Sequence, residues 1–233
     1  MVKVAFIIPA YNEEKAIGPV ISNLKSGLNN KKYDYEIVVV DDGSKDKTSN
    51  ISIKSGAKVI KHILNTGAGG ATATGLSFAQ QNSFDVAVTL DADGQHHTND
   101  IIKGVELITK NKADLLIGSR LIDTHGMSRV KIFGNQGLST ITNMLFGVKV
   151  TDSQSGLRVF SRKALDTLQW KTSGYEFCSE MLWRAKQKNL IIQEYPIKAI
   201  YTNYSKGKGQ NNWNGFGIVK SLFERRIMEL FGE

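Results

Sequence analysis

The sequence predicts an α/β fold: a Rossmann-like, mostly parallel sheet with helices on both faces. Short β-rich apolar runs alternate with segments of helical periodicity, and the connections between them are brief. The runs are too apolar for a sheet with one wet face, which indicates strands covered on both sides. Polar or glycine-rich residues follow almost every run, at the carboxyl ends of the strands where open α/β sheets bind ligands.

Val2 to Ile8 reads as a buried strand that stops at Pro9 and passes into Ala10-Tyr11-Asn12-Glu13-Glu14, after which Ile17, Ile21, Leu24 and Leu28 keep helical spacing. Glu36 to Val40 is a second strand, stopped by Asp41-Asp42-Gly43-Ser44. Thr48 to Ser55 is a helix ended by Gly56, and Lys58 to Lys61 a third strand. Asn65 to Gly70 is glycine-rich and opens a helix carrying Leu76, Phe78 and Ala79. The fourth strand, Val86 to Leu90, delivers Asp91-Ala92-Asp93, and Thr98 is expected to cap the helix holding Ile101, Ile102, Val105 and Ile108. Asp114 to Ile117 leads into Gly118-Ser119-Arg120. Beyond it come helices over 131–146 and 177–188, a strand over 190–195, a turn-rich stretch over 204–212 and a final helix over 215–231.

A chain of 233 residues fits one large α/β domain with an appended C-terminal element. With 41% hydrophobic and 22% charged residues and no low-complexity tract, it is expected to fold throughout. The net charge of +8 favours polyanionic partners, whether a nucleotide, lipid phosphates or nucleic acid. Nucleic acid is disfavoured, because the basic residues are scattered among acidic ones without any recognisable binding signature. Cys178 is the only cysteine, which excludes an intramolecular disulfide and fits a reducing, cytoplasmic setting. No export signal or membrane-spanning run is expected.

The strongest chemical signal is Asp91-Ala92-Asp93-Gly94-Gln95, where an apolar strand projects two carboxylates and an amide toward the ligand edge. Three oxygen ligands suit magnesium or manganese, with water and diphosphate oxygens completing the shell. The plainer alternative is an acidic loop before the next helix. Asp41-Asp42-Gly43-Ser44 offers carboxylates to a ribose or base, or else forms an ordinary turn. Asn65 to Gly70 does not complete G-x-G-x-x-G, since Thr72 stands at the last glycine, and no Walker A lysine is present. His96 and His97 read as solvent-facing or secondary contacts rather than metal ligands, and Glu180 with Arg184 as an ion pair one helical turn apart.

Pro9-Ala10-Tyr11-Asn12-Glu13-Glu14, Val39 to Ser44, Asn65-Thr66-Gly67, Leu90 to His97 and Gly118-Ser119-Arg120 occur in an order that resembles family 2 glycosyltransferases. Asp152-Ser153-Gln154-Ser155-Gly156-Leu157-Arg158-Val159-Phe160 adds a resemblance to the polyprenyl-phosphate, dolichyl-phosphate mannose synthase-like branch. The resemblance covers nearly the whole chain and implies a GT-A fold and an inverting, metal-dependent hexose transfer from a UDP- or GDP-sugar. It implies a nucleotide-binding half over 1–120, an acceptor half over 121–212 and a C-terminal amphipathic helix over 213–233. Pro9, Ala10, Tyr11, Glu13, Asp41, Asp42 and Gly67 would line the nucleotide-sugar site with Ala92. Asp91, Asp93 and Gln95 would hold the metal and diphosphate, with Asp93 counted as catalytic. Arg120 would meet the acceptor phosphate with Arg129 or Lys131, while Lys206 and Lys208 stand where relatives often carry an arginine that grips the donor diphosphate.

A phosphate acceptor is already anionic and needs positioning and desolvation more than a base. A saccharide hydroxyl would require a carboxylate base, for which Asp152 is the candidate, with a structural cap as its other reading. A non-catalytic sugar-nucleotide-binding subunit is a third possibility, and a nucleotidyltransferase is disfavoured by the absence of a lysine-containing phosphate loop. Phe216, Val219, Phe223, Ile227 and Leu230 define an apolar helix face that either packs on the domain or lies in a lipid interface. The expected setting is thus the cytoplasmic membrane face, with peripheral attachment. Self-association into a homo-oligomer is compatible with this reading.

Overall fold

A computed structural model of the chain describes residues 1–29, 31–110, 113–198, 200, 217, 219–223 and 226. Its strands are β1 (Val2–Ala10), β2 (Tyr33–Asp41), β3 (Lys58–Lys61), β4 (Val86–Thr89), β5 (Leu115–Ser119), β6 (Arg158–Ser161) and β7 (Ile192–Pro196). They form one seven-stranded sheet in the order β3-β2-β1-β4-β6-β5-β7. All neighbours run parallel except β6, which is antiparallel to both β4 and β5. The expected mostly parallel α/β sheet is therefore present, with one reversed strand that the sequence reading treated only as part of a motif.

The helices are α1 (Ile17–Leu28), α2 (Thr48–Lys54), α3 (Ala68–Gln81), α4 (Thr98–Lys110), α5 (Arg129–Phe146), α6 (Arg162–Thr167) and α7 (Phe177–Gln187). Alternation along β1 explains the two layers: Val4, Phe6 and Ile8 turn toward α1 and α4, while Ala5 and Ile7 turn toward α3, α6 and α7. On the first side Ile17, Ile21, Leu24 and Leu28 of α1 meet Ile101, Ile102, Val105 and Ile108 of α4. On the second, Leu76 and Ala79 of α3 join Met181, Leu182 and Ala185 of α7. With both faces covered, a strand needs no polar side, which is why β1 reads as an unbroken apolar run.

Some boundaries move. β2 begins at Tyr33 rather than Glu36, and α6 was not foreseen. Thr98 is the first helical residue of α4 rather than its cap, and the His97 carbonyl accepts from Asp100 and Ile101. Helical backbone is present at 219–223, but the buried residue there is Leu222, packed with Phe146 and Trp183, while Phe223 is exposed. Arg226 lies 5.7 Å over the Trp183 ring. This segment thus packs on the domain through a face rotated from the expected one. Phe216, Ile227 and Leu230 lie outside the described residues. Among the described residues no helix is long and apolar enough to cross a membrane.

Close contact between α3 and the sheet depends on Gly75, where an added Cβ would come 2.1 Å from the Ile7 Cγ2 atom and 3.3 Å from Val40. Gly75→Ala is expected to destabilise by about 1–3 kcal/mol through overpacking. The check is a chemical-denaturation midpoint shifted down with an unchanged slope.

Candidate active site

The loops leaving β1 and β2 are stapled into one floor. Asn12 donates its backbone N–H to Ser44 Oγ at 2.9 Å and accepts the Lys45 N–H on its side-chain oxygen, also at 2.9 Å. Glu13 N–H reaches Thr48 Oγ1 at 2.8 Å, and Glu14 N–H reaches Asp46 at 3.1 Å. Tyr11 stands half exposed above this floor. Asp41 and Asp42 lie beneath it, both buried. The Asp41 carboxylate accepts the Ser44 N–H at 2.8 Å and the Ser49 hydroxyl, so it closes the β2 loop. Asp42 accepts from His62 Nδ1 at 2.7 Å, Thr66 N–H at 2.8 Å, Thr66 Oγ1 at 2.7 Å and Gly67 N–H at 2.8 Å. Burial pushes the Asp42 carboxyl up, yet these hydrogen bonds prevail and hold it below its ordinary value. Both aspartates therefore shape the cleft from behind, binding its loops together.

Gly67 has a similar role. Its φ of +88° is a conformation that glycine tolerates, and an added Cβ would come 2.4 Å from the Ser173 carbonyl oxygen. Gly69 donates its N–H to that oxygen at 2.7 Å. The glycine-rich loop thus admits the 172–174 backbone, which carries Tyr175 to the cleft. The Glu180 carboxylate, fully buried, fixes the same loop by accepting the Lys171 and Thr172 amides, and it also pairs with Arg184 at 3.1 Å. The expected ion pair is present, with an added structural duty.

Beyond β4, Asp91 and Asp93 stand close enough to act on each other. Burial and the Asp91 charge push the Asp93 carboxyl above its ordinary value. Burial pushes Asp91 up as well, but the His96 hydrogen bond and the positive charges of Arg120 and Arg158 outweigh it and hold that carboxyl low. Gln95 folds its amide N–H onto Asp93, and Ala92 is buried behind the pair. Two mutually repelling carboxylates beside an amide suit a hard divalent cation. Among the described residues no cluster of three or more His, Cys, Asp or Glu side chains is placed to hold a metal, so phosphate oxygens would have to complete the shell.

The reversed strand β6 brings the second half of the chain to this edge. Arg158, its first residue, pairs in register with Thr89 and Ile117 near the carboxyl ends of β4 and β5. The 152–157 loop therefore arrives beside 91–95 and 118–120. Thr89 Oγ1 holds the Gly156 carbonyl at 2.9 Å, and an added Cβ on Gly156 would come 2.2 Å from an Asp91 carboxylate oxygen. Only a residue without a side chain lets the two meet. Arg158 itself is buried and donates to the Ser155, Cys178 and Ser153 carbonyls and to Met181 Sδ.

Arg120 and Asp152 meet in a bidentate pair, Nε to Oδ2 at 2.7 Å and Nη2 to Oδ1 at 2.9 Å. Asp152 is fully buried, with both oxygens engaged, and Glu194 Oε1 accepts its backbone N–H at 3.1 Å. That geometry favours the structural reading of Asp152 over the general base, because a base needs an open oxygen within reach of the substrate. Arg129 and Lys131 occupy the first turn of α5 and are exposed. Lys206 and Lys208 lie outside the described residues.

Tyr175 is a cleft residue that motif reading missed. Burial, followed by electrostatic interaction with Asp91, Cys178, Glu13 and Asp93, raises its phenol above the ordinary value. A lone tyrosine before a helix carries no spacing signal, and the contacts at Gly67 and Gly69 fix the loop that leads to it. The other newly placed residue, His96, donates to Asp91 at 3.0 Å from a side chain only 3% exposed, whereas His97 is exposed.

The family model of glycosyl transferase family 2 matches residues 5–169, a span from β1 through α6 that contains the Asp91–Asp93 pair and the Gly156 loop. The chain is a family 2 glycosyltransferase. This glycosyltransferase is 46% identical over 238 residues to a UDP-N-acetylglucosamine–dolichyl-phosphate N-acetylglucosaminyltransferase of Methanococcus voltae, across 93% of each chain. It is 27% identical to an undecaprenyl-phosphate mannosyltransferase of Micrococcus luteus, over 93% of this chain and 91% of that one. The resemblance to the polyprenyl-phosphate branch thus extends along most of its length. A crystal structure of glucosyl-3-phosphoglycerate synthase from Mycobacterium tuberculosis with Mn2+, UDP-glucose and phosphoglyceric acid superposes with a TM-score of 0.68. At 23% identity over 95% of this chain and 79% of that one, it shares the fold.

Two outcomes follow from these contacts. Asp42→Asn is expected to destabilise the glycosyltransferase by about 1–3 kcal/mol near neutral pH. Because the folded carboxyl titrates below its unfolded value, this contribution exists above the unfolded value and disappears as pH falls through the folded one. Denaturation at neutral and strongly acidic pH should therefore show the wild-type advantage shrinking with acid. Gly156→Ala should displace Asp91 and lower kcat/KM by about a hundredfold while the far-ultraviolet circular dichroism stays unchanged.

Proposed function

We propose that this glycosyltransferase moves a hexose-type sugar from a UDP- or GDP-sugar to the phosphate of a polyprenyl lipid, with inversion and with the help of Mg2+ or Mn2+. The observation that carries the acceptor assignment is the Arg120–Asp152 pair, a fixed guanidinium backed by a carboxylate that has no open oxygen. A saccharide hydroxyl would have to lose a proton during attack, and Asp152 is not disposed to take it. A lipid phosphate needs no such base. It needs a cation that orients it, and Arg120 is held in one rotamer for that task.

Asp91, Asp93 and Gln95 would hold the cation, which when bound supplies Lewis-acid neutralisation of the leaving diphosphate. The β1 and β2 loops position the nucleoside between Tyr11 and the stapled floor, with Pro9, Ala10 and Glu13 at its edge. Asp41 and Asp42 hold those loops in place. Tyr175, whose phenol feels the Asp91 and Asp93 charges, would border the donor sugar and help to exclude water. The lipid reading gains support from Ile122, Val130 and Phe133, which are 48%, 68% and 80% exposed beside the cations Arg129 and Lys131. An apolar edge carrying positive charge suits peripheral contact with an anionic membrane surface.

Transfer is tested with purified protein, labelled UDP- and GDP-sugars, Mn2+ and either polyprenyl phosphate or free saccharide acceptors. The expected result is label on the lipid phosphate alone, and exclusive transfer to a saccharide would end the proposal. Asp93→Ala should reduce turnover by about a thousandfold or more, the scale of a lost metal contribution of several kcal/mol. Asp152→Asn should raise KM for the lipid about tenfold and change kcat only a few-fold. A general base at that position would instead show a kcat loss of roughly a hundredfold or more.

A further inference from the structure

His96 is buried beside Asp91 in an arrangement that is poor for stability and good for fixing a carboxylate. Its Nε2 lies 3.0 Å from Asp91 Oδ2, and the side chain is only 3% exposed. Its Nδ1 is buried and has no hydrogen-bond partner. A buried nitrogen left without a partner costs about as much as a lost hydrogen bond. The contact with the Asp91 carboxylate, which can only accept, puts a proton on Nε2 and aims it at Asp91. On the opposite side the Gly156 backbone closes on the same carboxylate, with a would-be Cβ 2.2 Å from Oδ1 and 2.5 Å from Oδ2. Asp91 is gripped between the two, yet its side chain remains 48% exposed.

We propose that His96 is a positioning residue: a buried imidazole that tolerates an orphaned nitrogen so that its Nε2–H can set the rotamer of Asp91 for the divalent cation. This rests on the reading of Asp91 and Asp93 as the cation pair. Outer hydrogen bonds of this kind typically change metal affinity by about 10–100-fold. The role has an unusual signature. Replacing His96 by an apolar residue removes an unsatisfied buried nitrogen, so stability should hold or rise while cation binding weakens.

The test measures Mn2+ binding by electron paramagnetic resonance with saturating UDP or GDP, together with thermal melting. It compares the wild type with Asp93→Ala, His96→Leu and His96→Gln, whose amide N–H can stand near the position of Nε2–H. The expected result is Mn2+ affinity about 10–100-fold weaker in His96→Leu, an unchanged or higher Tm, and recovery to within a few-fold in His96→Gln. At saturating Mn2+ the kcat of His96→Leu should return to near the wild-type value. Wild-type Mn2+ affinity in His96→Leu, with Asp93→Ala defective, would overturn the role of His96 alone. A lower Tm with no rescue by glutamine would mark His96 as merely structural and overturn it too. Equal Mn2+ binding by wild type and Asp93→Ala would defeat the cation reading itself, and this inference with it.

Discussion

Two carboxylates side by side at the end of β4 impose the constraint that organises this protein. Asp91 and Asp93 oppose each other's charge, and burial opposes both, so the pair persists only because its surroundings hold it. His96 supplies a hydrogen bond, Gly156 gives up a side chain to make room, and Arg120 and Arg158 supply positive charge from behind. The apolar β4, buried in a two-sided core, furnishes a support that side-chain repulsion does not deform. Two carboxylates held in this way give up local stability, the mark of a strained functional site.

The reversal of β6 is what joins the second half of the chain to the Asp91 edge. Had residues 158–161 run parallel to β4, the 152–157 loop would have emerged at the opposite edge of the sheet, far from Asp91. Running antiparallel, β6 begins at the ligand edge, so one short strand places Gly156 against Asp91 and Asp152 against Arg120. Behind the edge, Glu194 on β7 and Ser155 tie this loop to its neighbours.

The sheet and most of its helices were legible in the sequence because their signal is periodic. Unbroken apolar runs such as Phe6 to Ile8 mean two-sided burial, and Ile101, Ile102, Val105 and Ile108 mark one helix face. β6 was not legible, since four residues beginning with arginine resemble neither pattern and strand direction leaves no trace in composition. In the site, Asp91 and Asp93 stand together just past β4, where the strand reading placed them. Asp41 and Asp42 were read as ligand contacts or turn residues; their oxygens accept from loop amides, hydroxyls and the His62 ring, and the partners of Asp42 lie 20 to 25 positions away. Asp152, offered as a base or as a structural cap, is engaged by Arg120, 32 residues distant. Tyr175 was invisible because its meaning comes from a loop that no local spacing encodes, whereas the reading of His96 as a secondary contact agrees with its place against Asp91.

Arg158 carries one further consequence. Its guanidinium is buried with carbonyls and a thioether as its hydrogen-bond partners, so its charge is neutralised only at a distance, by Asp91 among others. An ion held only by side chains can leave a cleft, but this charge is covalently part of the scaffold and stays. It acts as a resident counterion, relieving the cleft of part of the electrostatic penalty of the Asp91 carboxylate and keeping the surroundings of that side chain in place.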